Sequence, residues 1–548
     1  MQATHSDAGI FTSKPSLMVQ FPNPHAVFPQ RLCLGKEGLV IMSLLTETLS
    51  AADVALLTLC GFLLWYLVSS TISWYRLRHI PGPFLAKFSY LWLAQVARGG
   101  RQYYAYRDLG KKYGPLVRVG PNELSTDDPE ILRRAAAVRS PYGKDSWYLG
   151  GRFNPYHEAM FGTLDVRAHD KIKAQIGTTF GGREIPLLET GVDEQINGLV
   201  GNIRQQLSND AKGGSSGLTE FASLMSYLTM DVITKAAFGQ EFGYLKTNED
   251  LYGFLKAVRE NWPRVAMAVD VPLIRNIILS RLFLKLFGPS VTDTEGMGKL
   301  MGVAREYVSK RYLPDAKPQR DLLGSWIRND LTQDRAEIEG LFMIIAGSDT
   351  TASALRLTML HIMTCPRVYN KLKQEIRDTI VGGNVACPIQ FEEAKRLSYL
   401  QAVVYEGLRM RPPAPGLYPK SVPPEGDIIH EKFIPGGTAI GMNTASLFSS
   451  TTEFGKDAAI FRPERFTEAD EQKRAEMERL VELAFGYGRF QCSGKPIAFM
   501  ELNKVYFELL RAFDFQIARP TGPWKSRSYS VFIEEDMWVQ VSEAGNIG

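Results

Sequence analysis

Phe485-Gly-Tyr-Gly-Arg-Phe-Gln-Cys-Ser-Gly494 is followed, from Pro496 on, by residues that read as a helix. Cys492 therefore sits in a glycine-rich loop at a helix N-terminus. Proline is favoured in a first helical turn. Leu502, Val505, Tyr506, Leu509 and Phe513 then recur at the spacing of one helical face. The glycines, Gly488 and Gly494 among them, let the backbone press flat against a large planar ligand, because glycine has no Cβ to collide with it. The helix dipole stabilises a negative sulfur and lowers the thiol pKa. A single thiolate under a flat ligand is how a protein gives haem iron an axial sulfur that favours O–O cleavage. The other reading of a lone cysteine is a buried, inert thiol.

A second segment carries chemistry. Residues 332–365 lack proline and are largely apolar on one side, and Pro366 stops them. They predict a helix of about 50 Å, capped by Thr332 or Asp334. Ala346-Gly-Ser-Asp-Thr-Thr351 interrupts its apolar middle. Glycine, hydroxyls and acids are poor choices inside a helix, so their presence there marks a functional site, or else a kink at a polar packing contact. Further on, residues 399–409 read as an amphipathic helix ended by Pro412-Pro413. Glu406 and Arg409, three apart, share a face of it and can pair.

The cysteine segment resembles the haem-binding signature of the cytochrome P-450 family, Phe-x-x-Gly-x-Arg-x-Cys-x-Gly. Phe485, Gly488, Cys492 and Gly494 fall on the pattern. One position departs. The family's arginine is Phe490 here, and Arg489 stands one place earlier. In the family that arginine pairs with a haem propionate. Either Arg489 supplies the charge from a shifted direction or other bases do so. His169 and Lys173 occupy the place of a His-x-x-x-Arg pair, and Lys420 lies near another propionate-contact region. Each is otherwise a solvated surface base. The run Arg-Phe-Gln-Cys-Ser-Gly-Lys-Pro is similar to a fungal microsomal subset that includes pisatin demethylase.

Ala346–Thr351 resembles the family's oxygen-activation motif without departure. The resemblance implies that Asp349 and Thr350 relay protons in oxygen activation. Glu406 and Arg409 match its Glu-x-x-Arg, and Phe461-Arg-Pro-Glu-Arg-Phe466 resembles the segment that completes a structural triad through Arg465. The resemblance covers residues 80–541. It implies a mainly α fold with small β-sheets (α+β), a haem b cofactor with Cys492 as the metal ligand, and a monooxygenase that uses O2. The 56 residues after Cys492 are too few for a reductase domain. Electrons are therefore expected from a separate NADPH–cytochrome P-450 reductase.

The N-terminal region reads differently. VALLTLCGFLLWYLVSSTI, residues 54–72, is a 19-residue stretch without a charge. As a helix it spans roughly 28 Å, close to the thickness of a bilayer's hydrocarbon core. Trp74 and Tyr75 suit the interface. Arg76, Arg78 and His79 follow, while the dozen residues before the span carry only acidic charge. The positive-inside rule places the C-terminal bulk in the cytosol. A cleaved signal peptide fits worse, since the apolar run is long and its basic flank lies on the wrong side. Ile80-Pro-Gly-Pro83 is expected to end the helix and resembles a proline-rich hinge. The expected organisation is an extension at 1–41, an anchor segment at 42–79 and a catalytic domain at 80–548. Met42 opens a run that looks like a complete N-terminus, so residues 1–41 are expected to be poorly ordered and dispensable, or a mis-chosen start.

Composition sets the outer limits. Across 548 residues, 45% are hydrophobic and 22% charged, with net charge +4. These values are ordinary for a globular protein, and no dense basic run points to nucleic acid. Five scattered cysteines, Cys33, Cys60, Cys365, Cys387 and Cys492, give neither a disulfide framework nor a zinc pattern and fit a reducing compartment. The expected function is a single-pass, endoplasmic-reticulum-anchored monooxygenase of secondary metabolite biosynthesis, acting on an apolar, terpenoid or polyketide-like small molecule. The pocket is expected from residues 140–161, 342–346, 413–418 and 529–532. A haem-thiolate isomerase or dehydratase without a reductase, or a non-catalytic haem sensor, is the alternative. The Asp349–Thr350 pair counts against both.

Overall fold

The computed structural model describes residues 50–182, 185–213, 217–383 and 385–545. The expected extension 1–41 and the first residues of the anchor segment lie outside them. The chain divides into two compact units, residues 1–68 and 69–548.

The described part of the first unit is helical. It belongs to α1 (Ala51–Arg76), a 26-residue helix with no buried side chain. Among the described residues this is the one helix long and apolar enough to cross a membrane. It ends at Arg76, earlier than the Pro-Gly-Pro stop expected. The cause is Arg118, which is fully buried and whose guanidinium donates to the carbonyls of Ser73 and Trp74 at 3.0 and 3.3 Å. Those are last-turn carbonyls, which no helical amide satisfies. Gly82 has another role. A Cβ there would lie 2.1 Å from the Arg118 carbonyl oxygen, so only glycine lets this segment run alongside Arg118.

The second unit is mainly helical with small sheets, as expected. The helices that frame the site are α2 (Val166–Ile176), α3 (Phe221–Phe238), α4 (Phe254–Asp270), α5 (Gln333–Thr364), α6 (Ser398–Met410) and α7 (Lys495–Ala512). The core gathers around α3 and α5. Nearly every residue of α3 is buried, because it packs on several sides rather than along one stripe. The polar interruption in α5 does not break the helix. Part of it serves packing: a Cβ on Gly347 would meet Ile233 of α3 at 2.8 Å, so the glycine allows the two helices to approach closely. Thr229 of α3 donates its hydroxyl to the Ser348 carbonyl at 2.7 Å and ties them together. Thr332 occupies the N-cap of α5, yet its side chain makes no capping bond. Asp334 lies in the first turn.

Five short strands form the largest sheet: β1 (Leu116–Arg118), β2 (Glu123–Thr126), β3 (Gly143–Lys144), β4 (Lys420–Ser421) and β5 (Ala439–Met442), in the order β1-β2-β5-β4-β3. At its edge β3 and β4 run antiparallel, with Lys144 directly opposite Lys420. Like charges placed opposite each other destabilise a sheet. That pair makes sense only with what it faces.

Candidate active site

The cysteine loop is held from three directions. The amide of Cys492 donates to the Phe485 carbonyl at 2.7 Å and closes the turn. Gly486 and Gly488 have φ of 74° and 53°, in the left-handed region that favours glycine. A Cβ on Gly488 would also lie 2.5 Å from the Ala136 carbonyl oxygen. Backbone shape and backbone packing thus require these two glycines. Lys173 of α2 donates its ammonium to the carbonyls of Arg489 and Gln491 at 2.6 and 2.9 Å, clamping the loop from outside.

Cys492 faces a cavity of about 470 Å³, together with Phe485, Gly486, Phe490 and Gly494. The helix α7 begins directly beyond it, with its proline in the first turn, as expected. The expected lowering of the thiol pKa is not met in the ligand-free chain. Burial pushes the thiol up, and the amides of Gly494 and Lys495 and the nearby Lys173 ammonium favour the thiolate without overcoming it.

From α5, Ala346, Asp349 and Thr350 line the same cavity. The Thr350 hydroxyl donates to the Ala346 carbonyl at 2.9 Å. Burial raises the proton affinity of the Asp349 carboxyl, against the pull of Arg356 and Arg259. Cys492, Asp349 and Thr350, some 140 residues apart in the chain, therefore meet around one cavity.

The basic residues sort in an unexpected way. Arg489 does not line the cavity. Its Nε lies 3.2 Å from Asp170 Oδ2 and its Nη atoms donate to the carbonyls of Val138 and Ser140. Lys173 is occupied in the clamp. His169 does line the cavity, and its Nδ1 lies 2.9 Å from Asp170 Oδ1. Burial first, and Lys144 second, lower its pKa to about 4, so it is a neutral imidazole at neutral pH. Lys420 lines the cavity as well, joined by Lys144 from the opposing strand. Lys144 donates to the carbonyls of Met160 and Phe161 at 2.8 and 2.9 Å, and Lys420 to the Tyr418 carbonyl at 2.9 Å and the Tyr148 hydroxyl. Neither forms an ion pair among the described residues. Burial lowers both pKa values to about 7, with the other lysine's charge adding to the fall at Lys144. The Phe490 ring lies between them, 4.9 Å from Lys420 Nζ and 5.7 Å from Lys144 Nζ.

Lys144 escaped sequence reading because nothing local distinguishes it; only the strand register opposite Lys420 does. Two buried acids of the cavity wall also escaped, Glu339 on α5 and Glu501 on α7. Both interrupt an apolar helical face, which is a legible signal. Glu339 accepts from the Met160 amide at 2.6 Å, and burial lifts its pKa to about 7. The expected pocket segments largely contribute, through Trp147, Phe161, Phe342 and Tyr418. At 529–532, however, Ser530 and Val531 line the cavity rather than the aromatics that flank them. Ile233 of α3 and Trp262 and Val265 of α4 complete the wall and carry no sequence signal of their own.

Behind the site, Glu406, Arg409 and Arg465 form one buried cluster. Arg409 binds Glu406 through two parallel contacts of 2.7 Å, and Arg465 Nε lies 3.1 Å from both Glu406 oxygens. All three are at most 4% exposed.

Residues 80–536 match the sequence profile described as Cytochrome P450. The chain belongs to the cytochrome P450 family. It is a haem-thiolate monooxygenase of the fungal type, from the branch that serves secondary metabolism. It is 53% identical to "Cytochrome P450 monooxygenase aba1" of Botryotinia fuckeliana over 469 residues, which is 85% of this chain and 92% of that one. It is 45% identical to "Cytochrome P450 monooxygenase abl1" of Leptosphaeria maculans, across 88% of this chain and 86% of that one. Pisatin demethylase of Fusarium vanettenii is more distant, at 28% across 85% of this chain and 88% of that one. P450 enzymes of this kind use a haem-thiolate iron, a redox partner and a hydrophobic substrate.

Proposed function

We propose that this P450 inserts oxygen into an apolar, terpenoid or polyketide-like metabolite, anchored by α1 to the endoplasmic reticulum membrane as a single-pass protein with its catalytic domain in the cytosol. Haem b would be the cofactor, held through the Cys492 sulfur, and an NADPH–cytochrome P-450 reductase would supply electrons. One observation carries the reading: Cys492 shares its cavity with Asp349 and Thr350 on one side and with the Lys144 and Lys420 side chains on another. The exposed apolar face of α1 supports the anchor.

The cavity fits such a group. It is mostly apolar, as a planar macrocycle requires, and Lys144 and Lys420 bring two amines to it with no carboxylate paired to either among the described residues; burial disfavours their charge, and an anion beside them would restore it. Buried charges without a counter-ion are costly, so the strand pair Lys144–Lys420 is built for an anion, and haem propionates supply two carboxylates. Lys420, Lys144 and the neutral His169 would hold them. Arg489 and Lys173 serve the loop instead. When bound, haem iron supplies the oxygen-activating chemistry. Each lysine contributes a charge-assisted bond of about 1.5–3 kcal/mol, so Lys144→Met and Lys420→Met should each speed haem loss to an apo-globin acceptor by tenfold or more. Unchanged loss from both variants would remove the lysines from this role.

The acid and the hydroxyl divide the proton work. Burial raises the proton affinity of the Asp349 carboxyl, which favours its carrying a proton. Thr350, next to it, presents a hydroxyl whose oxygen can accept while its own proton rests on the Ala346 carbonyl. Aromatic walls at Trp147, Phe161, Phe342 and Tyr418 suit an apolar substrate. Phe161 and Phe342 are stacked with ring centres 4.9 Å apart. The test is co-expression with a reductase in a fungal host, followed by metabolite profiling of host and microsomal incubations. The wild type should give an NADPH-dependent product carrying one added oxygen, in the membrane fraction. Thr350→Ala should consume NADPH at a comparable rate and release most of it as peroxide. Unaltered coupling in Thr350→Ala would count against the proton role, and activity confined to the soluble fraction would count against the anchor.

A further inference from the structure

The last residue of α4 is an acid. Aspartate at a helix C-terminus works against the helix dipole, and Asp270 is also only 7% exposed. A residue so poorly suited to its place calls for a reason. Its two oxygens have separate partners. Oδ1 accepts from the Trp147 indole Nε1–H at 2.8 Å. Oδ2 accepts from the Gln102 side-chain amide at 3.1 Å. Gln102 opens the helix Gln102–Tyr113 and is buried as well. Trp147 lines the cavity, whereas Asp270 and Gln102 stand behind its wall.

Further bonds run along the same seam. Trp147 belongs to the turn Ser146–Gly151. Arg275, in the short helix after α4, is buried and donates to the Ser146 hydroxyl at 2.8 Å and the Val269 carbonyl at 2.7 Å. Arg152 donates to the Leu279 carbonyl at 3.0 Å. A Cβ on Gly150 would lie 2.7 Å from the Val269 side chain and push the two segments apart. Inside the cavity the indole meets Tyr418 edge to face, with ring centres 4.9 Å apart, and Tyr148 at 5.5 Å. Tyr148 donates its hydroxyl to the Tyr418 carbonyl at 3.0 Å, and Tyr418 donates its own to the Ser530 carbonyl at 3.0 Å. Those two rings are fixed by their own bonds. The one polar group of the indole reaches out of the cavity to Asp270, so Asp270 sets the rotation of the ring.

We propose that Asp270 is a positioning residue for substrate selection: it holds the Trp147 indole in one orientation across the seam, and that ring sets how large an apolar molecule the cavity accepts. This rests on the reading that the cavity takes an apolar substrate. Asp270 touches neither substrate nor cofactor and has no part in the proton work. Without its acceptor the indole N–H would be a buried donor with no partner, and the ring would leave its place against Tyr418 to find one.

The test uses full-length, haem-loaded enzyme and two azole probes, each followed by the shift in haem absorbance. Clotrimazole is bulky and apolar enough to reach the aromatic wall, and imidazole is not. In Asp270→Ala the dissociation constant for clotrimazole should rise about tenfold, while that for imidazole moves by less than about twofold. Asp270→Asn keeps an oxygen for the indole and should restore most of the affinity. Trp147→Phe breaks the same bond from the donor's side and should also weaken clotrimazole alone. In the Trp147→Phe background Asp270→Ala should add nothing, since both act through one bond. Only haem-loaded fractions are compared, so a loss of folded yield does not enter the result. Unmoved clotrimazole binding in the single variants, a parallel fall for imidazole, or additive losses in the double variant would overturn the proposal. Wild-type enzyme that binds imidazole and not clotrimazole would overturn the apolar reading with it, whereas tight wild-type binding that Asp270→Ala leaves unchanged fails the role of Asp270 alone.

Discussion

Cys492→Ser should fold, keep its cavity and lose the enzyme. The reduced, carbonmonoxide-bound protein should lack the long-wavelength band of a thiolate-ligated haem, and NADPH-dependent product should fall below detection. The physical basis is that a serine hydroxyl stays protonated where a thiol can ionise. The surroundings of position 492 are arranged for an anion: two amides of the α7 N-terminus and the Lys173 ammonium all act in that direction. Burial opposes them, so the free thiol is harder to ionise than an exposed one. The thiolate is therefore formed together with its metal partner, since the ligand must be deprotonated and binding releases the proton. Far-ultraviolet circular dichroism of Cys492→Ser should match the wild type, because the turn is closed by the backbone of residue 492 and by Lys173 rather than by sulfur. A variant that kept the thiolate band would remove Cys492 from the axial position.

The parts of this site that were legible in the sequence share a property: each imposes an unusual residue on a regular background. Ala346–Thr351 places a glycine, an acid and hydroxyls inside an apolar helix, and the structure puts five of its six residues, all but Ser348, on the cavity. Glu406 and Arg409 occupy one face of an otherwise apolar helix. The glycine loop ahead of Pro496 announces both its turn and the helix that follows. The basic residues were not legible in the same way. A lysine on an irregular segment looks the same whether it faces solvent or a cavity, and adjacent positions diverge. Arg489 turns to Asp170 while the Phe490 ring takes the cavity wall. Lys144 and Lys420 are about 276 residues apart in sequence and become a pair only through strand register. Register is a tertiary fact, set by how β3 and β4 join the sheet. The helix of the anchor was legible from its composition, whereas its end was not, because Arg118 reaches it from the first strand of the sheet.

Arg409→Ala should be the most destabilising single change outside the cavity, by about 3–5 kcal/mol, the cost of removing one partner from a buried charge cluster. That is a large part of the total stability of a folded domain. Arg409 does more than pair with Glu406. Its Nη1 donates to the carbonyls of Phe448 and Ala458 at 2.7 and 2.8 Å, and Arg465 holds the Asp457 and Ile460 carbonyls at 3.1 and 3.0 Å. Glu406 in turn accepts from the Arg462 amide at 2.8 Å. The cluster therefore pins the irregular stretch between Phe448 and Arg465 onto α6, and α6 packs on α7, whose first turn follows Cys492. Losing Arg409 frees two buried carbonyls and leaves Glu406 with a single guanidinium. The loop that presents the sulfur then loses its support from behind. Little haem-loaded Arg409→Ala protein should be recovered from cells, with a lowered midpoint in denaturant for what remains. Arg409→Lys should fall between, since an ammonium keeps the charge and cannot span a carboxylate and two carbonyls at once. Normal haem incorporation in Arg409→Ala would show that the cluster does not govern the cysteine loop.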